Sequence, residues 1–169
     1  MDQNLTIQQL AEATSCNRTQ IDQWISRGYF NPEAKSDVGK ARAFTKSDAV
    51  QLGALAELVR LGIPPGVAWR HTRHLYGYED EPALLVVYQR PVALIPTSER
   101  GTPPPKSEKP NCRYDPGLPS SRSRVVRLSK LQSFVSNRNV HALALVNLDR
   151  VEARITTVLV KSSPSKKNG

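Results

Sequence analysis

The feature that most constrains the fold of this chain is a spacing within residues 7–28. Ala11 is followed four positions later by Ser15, and the apolar residues Ile21 and Trp24 stand ten and thirteen positions after Ala11. Two closely crossing helices need a small residue where they touch, a turn one helical turn later, and buried apolar positions on the second helix. This spacing therefore predicts a helix-turn-helix.

Local signals agree with these helix boundaries. Thr6 and Gln9 form a capping-box pair, in which each side chain satisfies a backbone N–H that the first helix leaves unbonded. Asn17 is a suitable N-cap for the second helix. Gly28 is typical of a helix end, because glycine adopts the left-handed conformation without steric cost. The first helix thus begins after Thr6, and the second lies between Asn17 and Gly28.

The second helix has a polar outer face. If Ile21 and Trp24 point inward, helical geometry turns a set of polar side chains outward, namely Arg18, Thr19, Asp22, Gln23 and Ser26. A helix of this kind fits the major groove of DNA, where Arg pairs with guanine and Gln with adenine. The expected partner is double-stranded DNA.

The segment after this helix predicts a wing and two further helices. Tyr29–Phe30 and Ala41–Phe44 are interpreted as short strands around a polar loop; we use the name wing for residues 29–44. Thr45 with Asp48 predicts the start of a third helix. Ile63-Pro64-Pro65 opens a fourth helix extending through Tyr76, since proline is tolerated in a first helical turn. The expected N-terminal unit is a winged helix-turn-helix.

Several separated motifs in this unit resemble the DNA-binding domain of the MerR family. The resemblance covers residues 5–75. It rests on Leu5-Thr6-Ile7 with Leu10-Ala11, Arg18-Thr19 with Ile21, Arg27-Gly28-Tyr29, Gly39 with Arg42-Ala43-Phe44-Thr45, and Leu58 with Leu61-Gly62-Ile63. The motifs occur in the order in which the family has them.

The resemblance implies a winged helix that binds a near-palindromic DNA site as a homodimer. It implies that Arg18 and Arg42 contact phosphates or the groove and that Lys40 lies on the wing. It also implies that Thr19 and Gln23 are candidate base readers. The remaining predicted DNA-binding residues are Asn17, Asp22 and Arg27. Asp22 is interpreted either as a cytosine reader or as a charge that repels wrong sites.

The chain departs from the family after this unit. Family members typically continue into a long coiled-coil helix, whereas Glu79–Pro82 interrupts this chain and predicted strands follow. Cys16 and Cys112 lie far apart and do not support thiol metal sensing. Short relatives from phages and mobile elements act as excisionases or repressors, so an architectural excisionase is an alternative. A third possibility is that the C-terminal part is a protein-interaction module.

The predicted fold is α+β, with a DNA-binding domain over 1–78 and a small mixed domain for dimerisation or an effector over 79–161. The second domain is predicted to contain strands at Leu84–Gln89, Val92–Pro96 and His141–Asn147, a mobile Pro/Ser-rich loop over 97–124, helical structure late in Val125–Val135, and a helix at Leu148–Val160. Residues 162–169 are expected to be a disordered basic tail.

The apolar segments of 79–161 are expected to form one compact core together with Leu128, Leu131, Phe134, Val151, Ile155 and Leu159. A core this small is marginally stable alone, and burial against a second copy of the chain would increase its stability. The alternative is that the domain packs on its own helix-turn-helix and leaves the protein a monomer. Both arrangements are compatible with the sequence.

Charge is distributed unevenly along the chain. The formal net charge of +9 favours a polyanionic partner, yet most of the surplus lies beyond residue 100, outside the predicted DNA-binding unit. Four of these cations, Arg122, Arg124, Arg127 and Lys130, either bind phosphates or belong to a solvated linker. DNA recognition is thus expected to depend on individually placed side chains.

Other classes of function find little support in the sequence. It contains no nucleophile elbow, no glycine-rich phosphate loop and no metal-ligand set, so we expect neither an enzyme nor a cofactor nor a bound metal. His71 and His74 are interpreted as surface histidines. The apolar runs are too short to cross a bilayer, and the first residues do not resemble a signal peptide. We therefore expect a cytoplasmic protein.

Overall fold

The structure, a computed structural model, describes residues 4–33, 42–73, 75, 82–89, 121–137 and 142–162. These residues form helices α1 (Ile7–Thr14), α2 (Arg18–Ser26), α3 (Lys46–Arg60), α4 (Pro65–Thr72), α5 (Leu131–Val135) and α6 (Leu148–Ser162), a 3-10 turn at Leu128–Lys130, and strands β1 (Ala83–Gln89), β2 (Ser121–Arg127) and β3 (Ala142–Asn147). Helices precede a small antiparallel sheet, so the predicted α+β class is confirmed.

The chain between α2 and α3 differs from the predicted pair of strands. The N–H groups of Tyr29 and Phe30 donate to the Trp24 carbonyl at 2.8 and 3.1 Å, so these residues close α2 and are not a strand. Phe44 pairs with Leu5 instead, through N···O distances of 2.8 and 3.0 Å. The wing loop over 34–41 lies outside the described residues, and its form stays a prediction.

The sheet has β1 at its centre, in the order β2-β1-β3, with both pairs antiparallel. Ala83, Leu85 and Val87 face the interior, and all side chains from Ala83 to Tyr88 are buried. A strand covered on both faces is expected to be continuously apolar. The predicted strand over Leu84–Gln89 is confirmed, and β3 confirms the one predicted near residue 147.

The predicted loop over 97–124 is wrong at its end. Ser121–Arg124 form the first half of β2 and pair with Val86–Gln89 of β1. This segment alternates serine and arginine, a composition typical of a linker. In the strand, Arg122 and Arg124 are exposed, whereas Ser121 and Ser123 are half-buried. The rest of that loop and the strand predicted at Val92–Pro96 lie outside the described residues.

Helix α6 joins the C-terminal part of the chain to the N-terminal helices. Its apolar stripe, Leu148, Val151, Ile155 and Val158, is buried in the same core as α1 and α3. The approach to α3 is close: a Cβ added at Gly53 would lie 2.5 Å from Val151 Cγ1. Glycine therefore allows α3 and α6 to pack at this point. The core is continuous from Leu5 to Val158.

The apolar residues predicted to form one separate C-terminal core are divided between two clusters. Val151 and Ile155 lie in the main core, whereas Leu131 and Phe134 pack on the outer face of the sheet against Leu84, Val86, Tyr88 and Val126. Leu128 is exposed. The cause is that α6 buries its stripe against the helix-turn-helix, so that among the described residues α5 covers the outer face.

His71 is buried, which corrects its interpretation as a surface residue. Its Nε2 lies 3.1 Å from Ser121 Oγ, a hydrogen bond that links α4 to the first residue of β2. Burial lowers the pKa of His71 below the ordinary 6.5, and the neighbouring charge of Arg70 lowers it further. The folded protein thus favours the neutral imidazole. His74 lies outside the described residues.

We expect this histidine to make stability depend on pH below its ordinary pKa of 6.5. Its lowered pKa means that the unfolded chain takes up a proton there before the folded protein does, so the free energy of unfolding falls as pH drops below that value. Urea unfolding of the wild type and His71→Gln at about pH 8 and about pH 5.5 measures this dependence. Equal pH dependence in the two proteins would contradict this role of His71.

Candidate functional site

The turn between α1 and α2 has the conformation that the spacing predicts. Ser15 lies in the left-handed region, with φ 53°, and its N–H donates to the Glu12 carbonyl at 3.2 Å. Glycine is the commonest residue in this region, and the short polar serine accommodates it here. Cys16 follows with its N–H bonded to the Ala11 carbonyl at 3.1 Å. The turn is therefore fixed by backbone hydrogen bonds.

Both helices of the motif begin with the predicted caps. Thr6 Oγ1 accepts from Gln9 N, and Gln9 Oε1 accepts from Thr6 N, which completes the capping box of α1. Asn17 Oδ1 accepts from Gln20 N at 2.7 Å at the start of α2. An N-cap of this type contributes about 1 kcal/mol to helix stability. The predicted caps are confirmed.

The inner side of α2 is anchored in the core. Ile21 and Trp24 are 0% and 4% exposed. Gly28 follows the helix with φ +70°, where a residue with a Cβ would be strained. Because Ile21, Trp24 and Gly28 fix the position of α2, the orientation of the opposite face of this helix is fixed as well.

The opposite face of α2 carries most of the predicted DNA-binding side chains. All of those on α2 or at its ends are exposed: Asn17, Arg18, Thr19, Asp22, Gln23 and Arg27. Arg18 Nε and Asp22 Oδ2 are 3.7 Å apart, one helical turn from each other. Both side chains are more than half exposed, so this ion pair contributes little to stability and leaves Arg18 able to exchange partners.

Arg42 differs from this set in its burial. Arg42 is half-buried and its Nε is enclosed by protein atoms. It stands two residues before Phe44, whose backbone is paired with Leu5. Lys40 lies outside the described residues. Six of the eight predicted residues are therefore grouped at α2, while the contact of all eight with DNA stays a prediction.

Arg60 is a residue of this region that the sequence analysis missed. From the end of α3 its Nη2 donates to the carbonyls of Thr14 and Ser15, at 2.7 and 2.9 Å. The last carbonyls of a helix have no partner within the helix, and a cationic donor suits the negative end of the helix dipole. Arg60 thereby fastens the turn to α3. A contact over 45 residues leaves no local signal in the sequence.

Glu57 connects this contact to the C-terminal helix. Its Oε1 accepts from Arg154 of α6 and lies 2.8 Å from Arg60 Nη1. Burial of Glu57 disfavours its charge, but the hydrogen bonds and charges of Arg154 and Arg60 outweigh this effect and hold the pKa of Glu57 below its ordinary value. A chain of charged groups thus runs from α6 to the turn of the helix-turn-helix.

Asp48 has a second role that was also missed. Its Oδ2 accepts from Thr45 N at 2.9 Å, as the predicted helix start requires. Its Oδ1 accepts from Glu33 N at 3.0 Å. One buried carboxylate therefore binds the backbone at Glu33 and at Thr45, and so fixes beside α3 the two residues that flank the segment 34–44.

The arrangement of α1, turn and α2 agrees with a comparison with known protein families. Residues 5–80 match the family described as MerR HTH family regulatory protein. This segment is a MerR-family helix-turn-helix domain. The predicted resemblance is confirmed, and the match indicates a DNA-binding regulator of transcription. It covers less than half of the chain and leaves β1 to α6 outside. No curated protein matches the chain.

Two further observations concern other kinds of site. Among the described residues, no three His, Cys, Asp or Glu side chains are grouped so that they could hold a metal ion. Within the same ranges, no helix is both long and apolar enough to span a membrane. Cys16 is buried, and burial raises the pKa of its thiol. This thiol is therefore poorly suited to bind metal or react as a thiolate.

Proposed function

We propose that this protein is a sequence-specific regulator of transcription that binds double-stranded DNA as a homodimer, with α2 in the major groove. The observation that carries the proposal is the exposed polar face of α2, held in place by buried Ile21 and Trp24 on its other side. A rigid helix with arginine, glutamine and threonine on one face matches the donors and acceptors of the groove. We place this regulator in the cytoplasm.

In this proposal the side chains have distinct tasks. Arg18 neutralises phosphate, since it is exposed and its contact with Asp22 is weak enough to exchange. Thr19 and Gln23 read base edges. Asp22 either accepts a hydrogen bond from cytosine or, by its negative charge, repels DNA of the wrong sequence. Arg42 and Lys40 extend the phosphate contacts from the wing. Asp48 binds the backbone at Glu33 and Thr45 and so fixes the residues from which this segment starts and to which it returns.

Selection of genomic DNA fragments by the full-length protein, followed by footprinting, tests the function. We expect a footprint over a promoter, with two half-sites related by near-palindromic symmetry. A footprint confined to a recombination attachment site would identify an excisionase in place of a regulator. If no fragment is enriched, the DNA-binding proposal is wrong and a protein-interaction module takes its place.

We expect Gln23→Ala and Thr19→Ala to relax base preference at one or two positions of the selected site. Loss of a good base contact costs about 1–3 kcal/mol of discrimination against the wrong base. Selection of bound fragments from a random library measures the change. Gln132→Ala and Thr156→Ala are matched controls, because both side chains are exposed outside the family domain. An unchanged motif for both α2 variants would show that another face reads the bases.

A further inference from the structure

Within the part of the chain that the structure describes, strand β3 is an outer strand of the sheet and pairs along one edge only. Its residues Ala142–Asn147 pair with β1 on one side. On the other side, their backbone groups make no hydrogen bond to any residue within the described ranges. Such an edge presents a row of N–H donors and carbonyl acceptors that fits another extended strand.

The side chains of β3 do not protect this edge. Leu143 and Leu145 are 37% and 38% exposed on the outer face of the sheet, and the strand contains neither a charged residue nor a proline. The opposite outer strand, β2, carries three exposed arginines. Charged side chains are a common means by which proteins prevent pairing at sheet edges. Of these two strands, β2 carries charged side chains and β3 carries none.

We propose that β3 pairs antiparallel with β3 of a second copy of this chain, so that the sheets of the two copies form one continuous sheet. The proposal rests on the homodimeric regulator proposed above and assigns the surface through which it dimerises. A two-fold axis at Ala144 pairs the five residues Ala142–Val146 with their counterparts. In this register, Leu143 lies opposite the partner subunit's Leu145, and Leu145 opposite the partner subunit's Leu143.

The charge pattern of the sheet permits two copies to pair at β3 and disfavours their pairing at β2. Pairing of β2 with itself would bring like-charged arginines together, whereas pairing of β3 with itself meets no charge repulsion. An antiparallel strand pair also generates the two-fold symmetry of an isologous dimer. In the proposed register, both exposed leucines of each copy lie against a leucine of the other.

The apolar surface continues beside the edge. Tyr88 is the β1 partner of Leu143, and its ring contacts Phe134 of α5 at a centroid distance of 5.2 Å. Val135, on the same short helix, is 46% exposed. A strand pair alone buries little area, and stable interfaces bury about 800 Å² per partner. The outer face around α5 offers the additional apolar surface that a dimer needs.

Sedimentation equilibrium of the full-length chain and its variants tests the interface and its register. We expect the wild type to have the mass of two 18.7-kDa chains at micromolar concentration. The double variant Leu143→Lys/Leu145→Lys places like charges across both leucine pairs, so its dimer dissociation constant is expected to rise about tenfold or more. The double variant Leu143→Glu/Leu145→Lys places opposite charges across both pairs, so the dimer is expected to reform.

Control variants separate this inference from the proposed function. Val160→Lys also replaces an exposed apolar residue, on α6, and is expected to leave the dimer intact. A monomeric wild type, or a dimer unaffected by the two lysines, would overturn the β3 interface. DNA binding is measured in parallel. A dimer that binds no DNA contradicts the regulator and supports the interface, whereas DNA binding by a dimer insensitive to these substitutions contradicts only the interface.

Discussion

The affinity of this protein for duplex DNA is expected to fall steeply as salt is raised, with a log–log slope of about −4 to −10 for a dimer. Each arginine or lysine that binds a phosphate releases a condensed cation from the DNA, and added salt opposes that release. Fluorescence anisotropy with a labelled duplex between about 50 and about 200 mM salt measures the slope. Affinity independent of salt would exclude a phosphate-bound complex.

The same titration identifies the cations that contact DNA. Arg18→Ala should weaken binding to all sequences and flatten the slope by about one for each subunit. Arg42→Ala is expected to act in the same direction. Arg150→Ala is the matched control, because Arg150 is an exposed arginine of α6 outside the family domain. If Arg18→Ala and Arg150→Ala give the same slope, Arg18 does not bind phosphate.

Local patterns accounted for the DNA-binding unit because short-range signals determine it. The caps at Thr6 and Asn17, the turn at Ser15 and the inward positions of Ile21 and Trp24 all follow from residues within one or two helical turns of each other. Capping, helical periodicity and steric limits on φ act over that range. The outer face of α2 could therefore be predicted as a surface before any contact was known.

The errors arose where partners are distant in sequence. The polar segment Ser121–Arg124 has the composition of a loop. It is a strand only because it pairs with β1, and that pairing leaves no local signal in the sequence. The apolar stripe of α6 lies in the main core and not in a separate one. Helical periodicity predicts which face of a helix is buried, but it does not predict which element covers that face. The start of the fourth helix was right, but α4 ends at Thr72, four residues before the predicted end.

The charged contacts near the turn were unpredictable for the same reason. Arg60 is an ordinary basic residue at the end of α3, and only the fold brings it to the carbonyl of Ser15. Arg154 reaches Glu57 across 97 positions of the chain. These residues connect α6 with the motif that the family shares. The C-terminal part therefore packs directly on the DNA-binding unit, which the sequence left as one of two alternatives.

Replacement of Trp24 by alanine is expected to reduce the free energy of unfolding by about 3–5 kcal/mol, the usual cost of removing a large buried aromatic side chain. Trp24 is 4% exposed, and its carbonyl accepts from both Tyr29 and Phe30 at the exit of α2. A cavity at this position leaves α2 without its largest contact to the core. Urea unfolding followed by circular dichroism measures the loss without depending on tryptophan fluorescence.

Two controls show whether the loss is specific to the buried side of α2. Trp24→Phe keeps most of the apolar volume and is expected to cost less than the alanine variant. Gln23→Ala changes the adjacent exposed residue and should shift stability by no more than about 0.5 kcal/mol. DNA affinity should fall in Trp24→Ala even where the variant is folded, because α2 loses its fixed orientation. A fully stable Trp24→Ala protein would mean that α2 is held by Ile21 and its backbone contacts alone, and that Trp24 is not the anchor of this face.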